Sequence, residues 1–313
     1  MPLPLVIADT PLDATVTGLL SGQVEILPWS AAGEPIASQV LGLYTYGHPL
    51  VDAALLDRLP GLKVVSNYGV GVDHIRLPAA KERGIPVGNT PGILDGATAD
   101  MGMTLLLAAA RRLAEGDRYA RSPEFTRYDP GYMLGREVHS STLGIIGLGR
   151  IGQQVARRAR AFDMQVVYHN RRRNEAAEAT VGATYVSFDG LLVQSDFVML
   201  CCPLTDETRG LIGIAAFARM KPTAILVNIA RGPVVDTAAL TQALQTRHIY
   251  SAALDVTDPE PLPRDHPLLT LDNVTIAPHL GSATEQTRRQ MAEISVENLL
   301  RGMRGQELLH RVV

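Results

Sequence analysis

The sequence predicts an α/β protein with two domains, each built on a doubly wound parallel sheet. Short apolar runs alternate with helical or polar stretches along the chain, which is typical of parallel strands covered by helices. A length of 313 residues allows two separate hydrophobic cores. The glycine pattern Gly147–Gly152 directly follows the apolar run Leu143–Ile146, as expected where a strand turns straight into a helix.

The first domain is predicted from five apolar runs in the first third of the chain. The segment Ala97–Tyr119 that follows them carries an apolar stripe at helical spacing, and it predicts one long helix connecting the two domains. Ser122–Gly135 is rich in proline, glycine and aromatic residues, and it is predicted to form a loop or arm. The predicted strands of this domain are Leu5–Ala8, Val24–Leu27, Val40–Tyr44, Lys63–Ser66 and Pro86–Asn89.

The second domain repeats the alternation of strand and helix. The last predicted helix, Thr284–Arg304, follows the final strand of this domain with no strand after it. The simplest packing returns this helix to the first domain, which would then be discontinuous. We therefore predict a first domain of residues 1–97 and 286–313 and a second domain of residues 98–285. The predicted strands of the second domain are Leu143–Ile146, Gln165–Tyr168, Ala224–Asn228, Ser251–Asp255 and Val274–Pro278.

The composition is that of an ordinary globular enzyme or binding protein. With 46% hydrophobic and 19% charged residues and a net charge of −3, the chain gives no reason to expect nucleic acid or a membrane surface as a partner. The N-terminus lacks the basic region of a secretory signal. Cys201 and Cys202 are adjacent and poorly placed to bridge each other, so we expect buried thiols in a reducing cytoplasm. No cysteine and histidine cluster has metal-ligand spacing, and no metal site is predicted.

The glycine pattern has the context of a dinucleotide-binding loop, with a strand before it and the predicted helix Gln153–Phe162 after it. Gly147 permits a tight turn, Gly149 lets the backbone approach a pyrophosphate, and Gly152 allows close packing of helix and strand. The N-terminus of the helix offers unpaired N–H groups to the phosphates. A purely structural glycine turn is the alternative. The predicted loop residues are Gly147, Leu148, Gly149, Arg150, Ile151 and Gly152.

The end of the next predicted strand bears on the choice of cofactor. An acidic residue about 20 positions past the glycine loop bonds the ribose hydroxyls in NAD-preferring folds, but this chain has Asn170 followed by Arg171 and Arg172. An arginine can form charge-assisted bonds with the 2′-phosphate of NADP. We therefore predict a preference for NADP(H), with NAD(H) possible. A solvated basic turn in an arginine-rich chain is the alternative.

Arg231, Glu260 and His279 follow three successive apolar runs predicted to be strands. In an open parallel sheet the carboxyl ends of the strands share one edge, where ligands bind. Histidine can exchange a proton near neutral pH, a nearby carboxylate favours its protonated form and orients the ring, and arginine can polarise a carbonyl or hold a carboxylate. Reduction of a ketone by hydride transfer requires these groups. Taken singly, each has a structural alternative: Arg231 could pair with Asp236, Glu260 could be a surface residue, and His279 could be a core histidine.

At these residues the chain resembles the D-isomer-specific 2-hydroxyacid dehydrogenases. The resemblance runs motif by motif from about Lys63 to about Thr284. The segments that carry it are Tyr68–Asp73, Asn89–Gly92, Gly147–Gly152, Asn228–Asp236, Leu254–Val256, Pro259–Pro261 and Ala277–Ser282. It implies a Rossmann-type cofactor domain and a discontinuous, flavodoxin-like substrate domain, and a homodimer formed through the nucleotide domain.

The resemblance also implies roles for individual residues. His279 would be the acid/base, Glu260 its partner, and Arg231 the residue that polarises and binds the substrate. The backbone N–H groups of Val70 and Gly71 would clamp the substrate carboxylate. The further cofactor residues that it implies are Cys202, Pro203, Thr208, Ile229, Ala230, Asp255 and Gly281, with Asp255 bonding the nicotinamide carboxamide.

The expected reaction is NADPH-dependent reduction of a small 2-oxo acid, glyoxylate or hydroxypyruvate, to the D-2-hydroxy acid. Reduction of 2-ketogluconate or another longer 2-oxo acid is one alternative, and oxidation of phosphite or another non-carbon anion is a further one. A nucleotide-sensing protein like the corepressors named C-terminal-binding proteins is the alternative from another class. The only tryptophan is Trp29, so the arm offers Phe125, Tyr128 and Tyr132 where related reductases often place a tryptophan that reaches the neighbouring subunit.

Overall fold

The computed structural model describes residues 2–9, 11–47 and 49–313, and the chain divides into two compact units. Unit 1 comprises Met1–Leu94 together with Ala283–Val313, and unit 2 comprises Asp95–Ser282. Each unit contains one parallel sheet flanked by helices, which confirms the predicted α/β class. Among the described residues, none of the helices combines the length and the apolar character needed to cross a bilayer.

Unit 1 contains a five-stranded sheet in the order β2-β1-β3-β4-β5, and each neighbouring pair is parallel. The strands are β1 (Leu5–Ala8), β2 (Glu25–Pro28), β3 (Val40–Thr45), β4 (Val64–Asn67) and β5 (Val87–Gly88). The α-helices are α1 (Ala14–Leu20), α2 (Ala53–Asp57), α3 (Leu77–Glu82) and α11 (Glu285–Met303), and two short 3₁₀ helices cover Trp29–Gly33 and Pro35–Gln39.

The C-terminal helix α11 is fastened to the centre of the unit 1 sheet. Ser295, which is fully buried, shares a 2.8 Å hydrogen bond with the hydroxyl of Tyr44 on β3, and its carbonyl oxygen accepts a 2.6 Å bond from the hydroxyl of Ser66 on β4. A Cβ at Gly302 would collide with the side chain of Val64, so this glycine lets the helix lie close against β4. The N-terminal and C-terminal segments of the chain therefore both build unit 1.

Unit 2 contains a seven-stranded parallel sheet in the order β12-β11-β10-β9-β6-β7-β8. Its strands are β6 (Thr142–Ile146), β7 (Gln165–His169), β8 (Thr184–Tyr185), β9 (Phe197–Leu200), β10 (Ile225–Asn228), β11 (Ser251–Leu254) and β12 (Val274–Ile276). Its α-helices are α4 (Asp95–Ala110), α5 (Leu113–Ala120), α6 (Arg150–Ala161), α7 (Glu175–Val181), α8 (Phe188–Gln194), α9 (Ile214–Phe217) and α10 (Thr237–Gln245), and 3₁₀ helices cover Gly232–Val234 and Pro267–Leu269.

The sheet of unit 2 buries apolar residues on both faces. Ile145 and Met199 belong to the core on the side of α4 and α6, whereas Ile146 and Val198 belong to the core on the side of α8, α9 and α10. Successive side chains of a strand point to opposite faces, so each central strand contributes to both cores. This two-sided burial explains why the strands appear in the sequence as continuous apolar runs.

The prediction of one helix over Ala97–Tyr119 was wrong. Two helices, α4 and α5, occupy this segment, and Arg112 between them adopts a left-handed conformation with φ of 51°. The backbone N–H of Arg136 donates a 2.7 Å hydrogen bond to the carbonyl oxygen of Ala110. A residue distant in sequence therefore bonds a carbonyl oxygen at the end of α4. The apolar stripe could not reveal this contact.

The segment Ser122–Gly135, predicted as a loop or arm, contains neither helix nor strand in the described structure. Its rings form a small cluster with Tyr119, whose centroid lies 5.4 Å from that of Phe125 and 4.8 Å from that of Tyr132. Tyr128 and Leu134 remain 80% and 69% exposed. The arm therefore presents apolar surface that the other described residues do not cover.

Candidate active site

The turn after β6 has the geometry of a backbone that must approach its neighbours closely. Gly147 has φ of 101°, and a Cβ there would lie 2.6 Å from the backbone nitrogen of Cys202. A Cβ at Gly152 would collide with the carbonyl oxygen of Gly147, whereas a Cβ at Gly149 would meet no atom of the described residues within 4 Å. Two glycines are therefore required by packing, and the third leaves open space above the turn.

The open space lies at the N-terminus of α6. No side chain caps this helix, and within the described residues the N–H groups of Gly149, Arg150 and Ile151 have no hydrogen-bond acceptor. Unpaired N–H groups and the positive end of a helix dipole form an anion site. The residues present thus fit the pyrophosphate of a dinucleotide, which the glycine pattern predicted.

Asn170, at the end of β7, is tied to the glycine turn. Its Oδ1 accepts a 2.7 Å hydrogen bond from the backbone N–H of Leu148, and its carbonyl oxygen accepts a 3.3 Å bond from the hydroxyl of Tyr185. The side chain that replaces the acidic residue of NAD-preferring folds therefore has a fixed position beside the loop. An aspartate oxygen could accept the same bond from Leu148.

The three arginines that follow Asn170 are not equivalent. Arg173 donates two 2.8 Å hydrogen bonds to the carboxylate of Glu178, which also accepts a 2.7 Å bond from the hydroxyl of Tyr168. Arg171 lies 3.8 Å from Glu207, with its side chain 75% exposed, and Arg172 is exposed with no ion pair in the described part of the chain. Arg173 therefore stabilises the turn, and Arg171 and Arg172 present their guanidinium groups to solvent.

This arrangement makes a prediction about acid stability. The Arg173 guanidinium, together with the hydroxyl of Tyr168, lowers the pKa of Glu178 to about 2 from its ordinary value of 4.5. A carboxyl whose pKa is lowered by folding stabilises the fold above its ordinary pKa, and the contribution is lost as the pH falls towards the lower value. Glu178→Gln should therefore have a Tm that depends less on pH between about 4.5 and 2 than the wild-type Tm, measured by circular dichroism.

Glu175 provides the control for that experiment. Its carboxylate lies 3.8 Å from the same guanidinium, and its side chain is 80% exposed. Exposed pairs of this kind contribute little to stability, so Glu175→Gln should keep the wild-type dependence of Tm on pH. Equal behaviour of the two variants would contradict the assignment to Glu178.

The loop after β9 lies next to the glycine turn and contains three predicted cofactor residues. Thr208 folds the loop, since its hydroxyl donates a 2.7 Å bond to the carbonyl oxygen of Pro203 and accepts a 2.8 Å bond from the N–H of Thr205. Cys202 is buried, and burial raises the pKa of its thiol to about 11. Burial also raises the pKa of Cys201. Both thiols are therefore protonated at neutral pH, and they line the loop as small apolar groups rather than as nucleophiles.

Arg231 is presented by a tight turn after β10. The side chain of Asn228 holds this turn, because its Oδ1 accepts a 3.0 Å bond from the N–H of Ala230 and its Nδ2 donates a 3.0 Å bond to the carbonyl oxygen of Arg231. Ile229 and Ala230 are buried, and the guanidinium of Arg231 donates a 2.8 Å bond to the carbonyl oxygen of Ala230. The turn is therefore rigid on the side of the protein core.

His279 and Glu260 form a hydrogen-bonded pair beyond the carboxyl ends of β11 and β12. The Nδ1 atom of His279 lies 2.7 Å from Oε1 of Glu260, and the two side chains are 48% and 40% exposed. An ionised carboxylate can only accept hydrogen bonds, so Nδ1 carries the proton of this bond. Nε2 is then the ring atom that can exchange a proton with a substrate.

Asp255 holds the loop that carries His279. Its two carboxylate oxygens accept bonds of 2.7 and 2.8 Å from the N–H groups of Leu280 and Gly281, and its carbonyl oxygen accepts a 2.9 Å bond from the N–H of His279. Asp255 is 2% exposed, and burial raises its pKa against the opposing effect of the two N–H groups. A Cβ at Gly281 would lie 2.9 Å from the Asp255 carboxylate. The absence of a side chain at Gly281 therefore lets the carboxylate approach its N–H group. Sequence reasoning named both residues but missed that they clamp the histidine loop.

The structure thus places the predicted residues of unit 2 on one edge of its sheet. Arg231, Glu260 and His279 all follow the carboxyl ends of β10, β11 and β12, which are neighbours in the sheet, and Glu260 and His279 are in direct contact. Among the described residues, no group of three or more histidine, cysteine or acidic side chains could hold a metal ion.

In unit 1, Val70 and Gly71 lie in the loop that follows β4. Gly69, which precedes them, has φ of 146°, and the loop turns sharply after Asn67. In the described residues, the N–H groups of Val70 and Gly71 have no hydrogen-bond acceptor. The loop therefore carries two adjacent donors that can bind an anion.

The chain matches a known protein family and a known relative. Residues 103–281 match the family model described as the NAD-binding domain of D-isomer specific 2-hydroxyacid dehydrogenase. The chain is 49% identical over 257 residues to a glyoxylate reductase of Korarchaeum cryptofilum, covering 82% of this chain and 77% of that protein.

Two solved structures are similar over nearly the whole chain. A glyoxylate reductase from Paecilomyes thermophila has a TM-score of 0.87 at 33% identity, covering 100% of this chain and 99% of that one. An NADPH-dependent glyoxylate/hydroxypyruvate reductase from Sinorhizobium meliloti, in complex with NADP and malonate, has a TM-score of 0.90 at 31% identity, covering 99% and 97%. The chain is therefore an NAD(P)-dependent oxidoreductase that belongs to the D-isomer-specific 2-hydroxyacid dehydrogenase family.

Proposed function

We propose that the protein reduces a small 2-oxo acid, glyoxylate or hydroxypyruvate, to the D-2-hydroxy acid, with NADPH as the preferred reductant. The observation that carries this proposal is the 2.7 Å pair of His279 and Glu260 on a loop fixed by Asp255. The pair supplies an imidazole with one nitrogen held by a carboxylate and the other able to deliver a proton.

Each residue of the site has a separate role in the proposed reaction. When bound, the reduced nicotinamide supplies the hydride that adds to the carbonyl carbon. His279 donates a proton from Nε2 to the oxygen that becomes the hydroxyl, and Glu260 stabilises the ring in the required orientation. Arg231 polarises the carbonyl and binds the substrate carboxylate. Its planar guanidinium is suited to binding a carboxylate. In unit 1, the N–H groups of Val70 and Gly71 form a further element that can bind a carboxylate.

The choice of substrate rests on the printed activities of the relatives. Glyoxylate reductases from Korarchaeum cryptofilum and Aeropyrum pernix share 49% and 44% identity with this chain. The Sinorhizobium meliloti enzyme is named a glyoxylate/hydroxypyruvate reductase. We extend these activities to this chain because its proton-donor pair and its two carboxylate-binding elements suit any short 2-oxo acid.

The preference for NADPH rests on the turn after β7. Asn170 is neutral where an aspartate would repel a 2′-phosphate, and Arg171 and Arg172 are exposed beside it. Two guanidinium groups can bind the phosphate by charge-assisted hydrogen bonds. Arg173 is excluded from this role because Glu178 engages it.

A substrate panel tests the proposal. NADPH and NADH oxidation would be followed with glyoxylate, hydroxypyruvate, 2-ketogluconate, pyruvate and phenylpyruvate, and the chirality of the product would be determined. We expect the highest kcat/KM with glyoxylate or hydroxypyruvate and NADPH. Higher kcat/KM with 2-ketogluconate would favour a longer substrate, and a lower KM for NADH would overturn the cofactor preference. Tight NADPH binding with no activity would favour the corepressor-like sensor. A separate assay of NADP⁺ and NAD⁺ reduction with phosphite covers the remaining alternative, and activity in that assay alone would favour a non-carbon anion.

We also propose that the protein is a homodimer that uses the arm. In the arm, Tyr128 and Leu134 are 80% and 69% exposed, and Phe125 and Tyr132 are about half exposed; Leu113, in the preceding helix α5, is 63% exposed. Exposed apolar residues concentrated in one segment are typical of an interface. Light scattering coupled to gel filtration should give twice the mass of one chain, and Tyr128→Ser combined with Leu134→Ser should shift the protein towards a monomer. A wild-type monomer at micromolar concentration would contradict the proposal.

A further inference from the structure

We propose that Asn67 and Asn89 are positioning residues that orient the two N–H groups of the loop Gly69–Gly71 towards the substrate carboxylate. The inference rests on the proposed function, because it concerns the carboxylate site of that reaction. It adds two side chains that contact the loop rather than the substrate. Both asparagines lie at the carboxyl ends of unit 1 strands, Asn67 as the last residue of β4 and Asn89 directly after β5.

The two side-chain amides donate to all three carbonyl oxygens of the loop. Nδ2 of Asn67 donates to the carbonyl oxygens of Gly69 and Gly71 at 3.0 and 2.9 Å. Nδ2 of Asn89 donates to the carbonyl oxygen of Val70 at 3.0 Å. The acceptors of the loop are thus satisfied from the protein side, while the N–H groups of Val70 and Gly71 have no acceptor in the described part of the chain.

The planarity of the peptide bond connects these two facts. In a trans peptide unit, the carbonyl oxygen of one residue and the N–H of the next point in opposite directions. Asn67 holds the carbonyl of Gly69, which also accepts a 3.0 Å bond from the N–H of Thr90, and so orients the N–H of Val70. Asn89 fixes the carbonyl of Val70 and therefore the N–H of Gly71. Each asparagine thus helps to orient one donor of the proposed clamp.

The asparagines are themselves held in place. Asn67 is 1% exposed. The carbonyl oxygen of Asn89 accepts a 3.1 Å bond from Nδ2 of Asn298 on α11, and Oδ1 of Asn298 accepts a 3.2 Å bond from the N–H of His310. The C-terminal segment, which is part of unit 1, therefore holds the backbone of Asn89 in place.

An amide is the side chain that this role requires. A carboxylate of the same shape could not donate to the loop carbonyls and would place a negative charge beside an anion site. Oδ1 of Asn67 is buried without a hydrogen-bond partner among the described residues, so an ionised aspartate at this position would also bury an unpaired charge. Asn67 is thus suited to donate through Nδ2 and to leave the loop uncharged.

The test compares Asn67→Asp and Asn89→Ala with the wild-type protein. We expect each variant to raise the KM for glyoxylate, and the inhibition constant of oxalate, by about tenfold or more, since a misdirected N–H loses a charge-assisted hydrogen bond. The fall in kcat should be smaller than the rise in KM, and the Kd of NADPH should stay within about twofold. If Asn67→Asp fails to fold, Asn89→Ala decides the question, because it removes a single bond from a half-buried side chain.

Asn273 in unit 2 provides a matched control. Its Nδ2 donates to the carbonyl oxygens of Leu244 and Tyr250 at 3.2 and 3.3 Å, and its Oδ1 is also buried without a partner in the described residues. It precedes β12, at the end of the sheet opposite to His279. Asn273→Asp should therefore lower Tm and leave the KM for glyoxylate unchanged.

The outcomes separate the two proposals. An active wild-type enzyme whose Asn67 and Asn89 variants lose only Tm, as Asn273→Asp does, would overturn the positioning role alone. A wild-type protein that reduces no 2-oxo acid would overturn the proposed function and this inference together. A rise in KM and in the oxalate inhibition constant, with unchanged NADPH binding, supports the inference.

Discussion

Replacing His279 with alanine is expected to lower kcat for glyoxylate reduction by about 10³–10⁴-fold. The imidazole is the only side chain that we propose as proton donor, and its loss removes both the proton and the ring that Glu260 orients at 2.7 Å. The Kd of NADPH should stay within about twofold of the wild-type value, because the glycine turn and the turn after β7 are unchanged. Steady-state kinetics and fluorescence titration would measure the two quantities.

A second histidine and glutamate pair makes the control specific. His139 lies 3.1 Å from Glu137, with both side chains more than 60% exposed, and this pair has no place in the proposed mechanism. His139→Ala should keep the wild-type kcat. Glu260→Gln should lower kcat by about 10²-fold, since an amide no longer requires the proton on Nδ1. An unchanged kcat in His279→Ala would refute the acid/base role.

The sequence predicted the elements whose pattern is local. Continuous apolar runs marked the five strands of unit 1 and most strands of unit 2, since strands buried on both faces need apolar residues at every position. The two-residue strand β8 (Thr184–Tyr185) at the edge of the unit 2 sheet was not predicted. The context of Gly147–Gly152 marked the turn after β6 because a strand and a helix flank it. Arg231, Glu260 and His279 were found because carboxyl ends of parallel strands meet at one edge. Their catalytic roles stay predictions until kinetics tests them.

The features that escaped prediction depend on contacts between distant segments. The break between α4 and α5 lies where the N–H of Arg136 donates to the carbonyl oxygen of Ala110. No local sequence pattern predicts that hydrogen bond. The clamp of Asp255 on the histidine loop joins residues 25 and 26 positions apart. The roles of Asn67 and Asn89 at the loop Gly69–Gly71 were not predicted, because only their hydrogen bonds reveal them. The residue types at the carboxyl edge of the unit 2 sheet could therefore be predicted from the sequence. The hydrogen bonds that orient them could not, because they join distant segments.

Asn170→Asp is expected to lower the ratio of kcat/KM with NADPH to kcat/KM with NADH by about a hundredfold, which corresponds to about 2.7 kcal/mol. An aspartate oxygen can accept the 2.7 Å bond from the N–H of Leu148 that Asn170 accepts now, so the turn should keep its shape. The added negative charge would repel the 2′-phosphate of NADPH, and the second oxygen could bond the ribose hydroxyls of NADH. Initial rates with both cofactors at saturating glyoxylate would give the ratio.

Asn174→Asp is the matched control because it adds the same charge four residues further along the same turn. Asn174 caps α7, and its side chain accepts a 3.1 Å bond from the N–H of Ala177, a place that aspartate fills equally well. We expect this variant to change the cofactor ratio less than threefold, within the range of screened surface charges. Equal shifts in the two variants would mean that net charge near the turn, rather than a specific contact at position 170, governs the preference. An unchanged ratio in Asn170→Asp would remove the main argument for NADPH, and the choice would then rest on Arg171 and Arg172 alone.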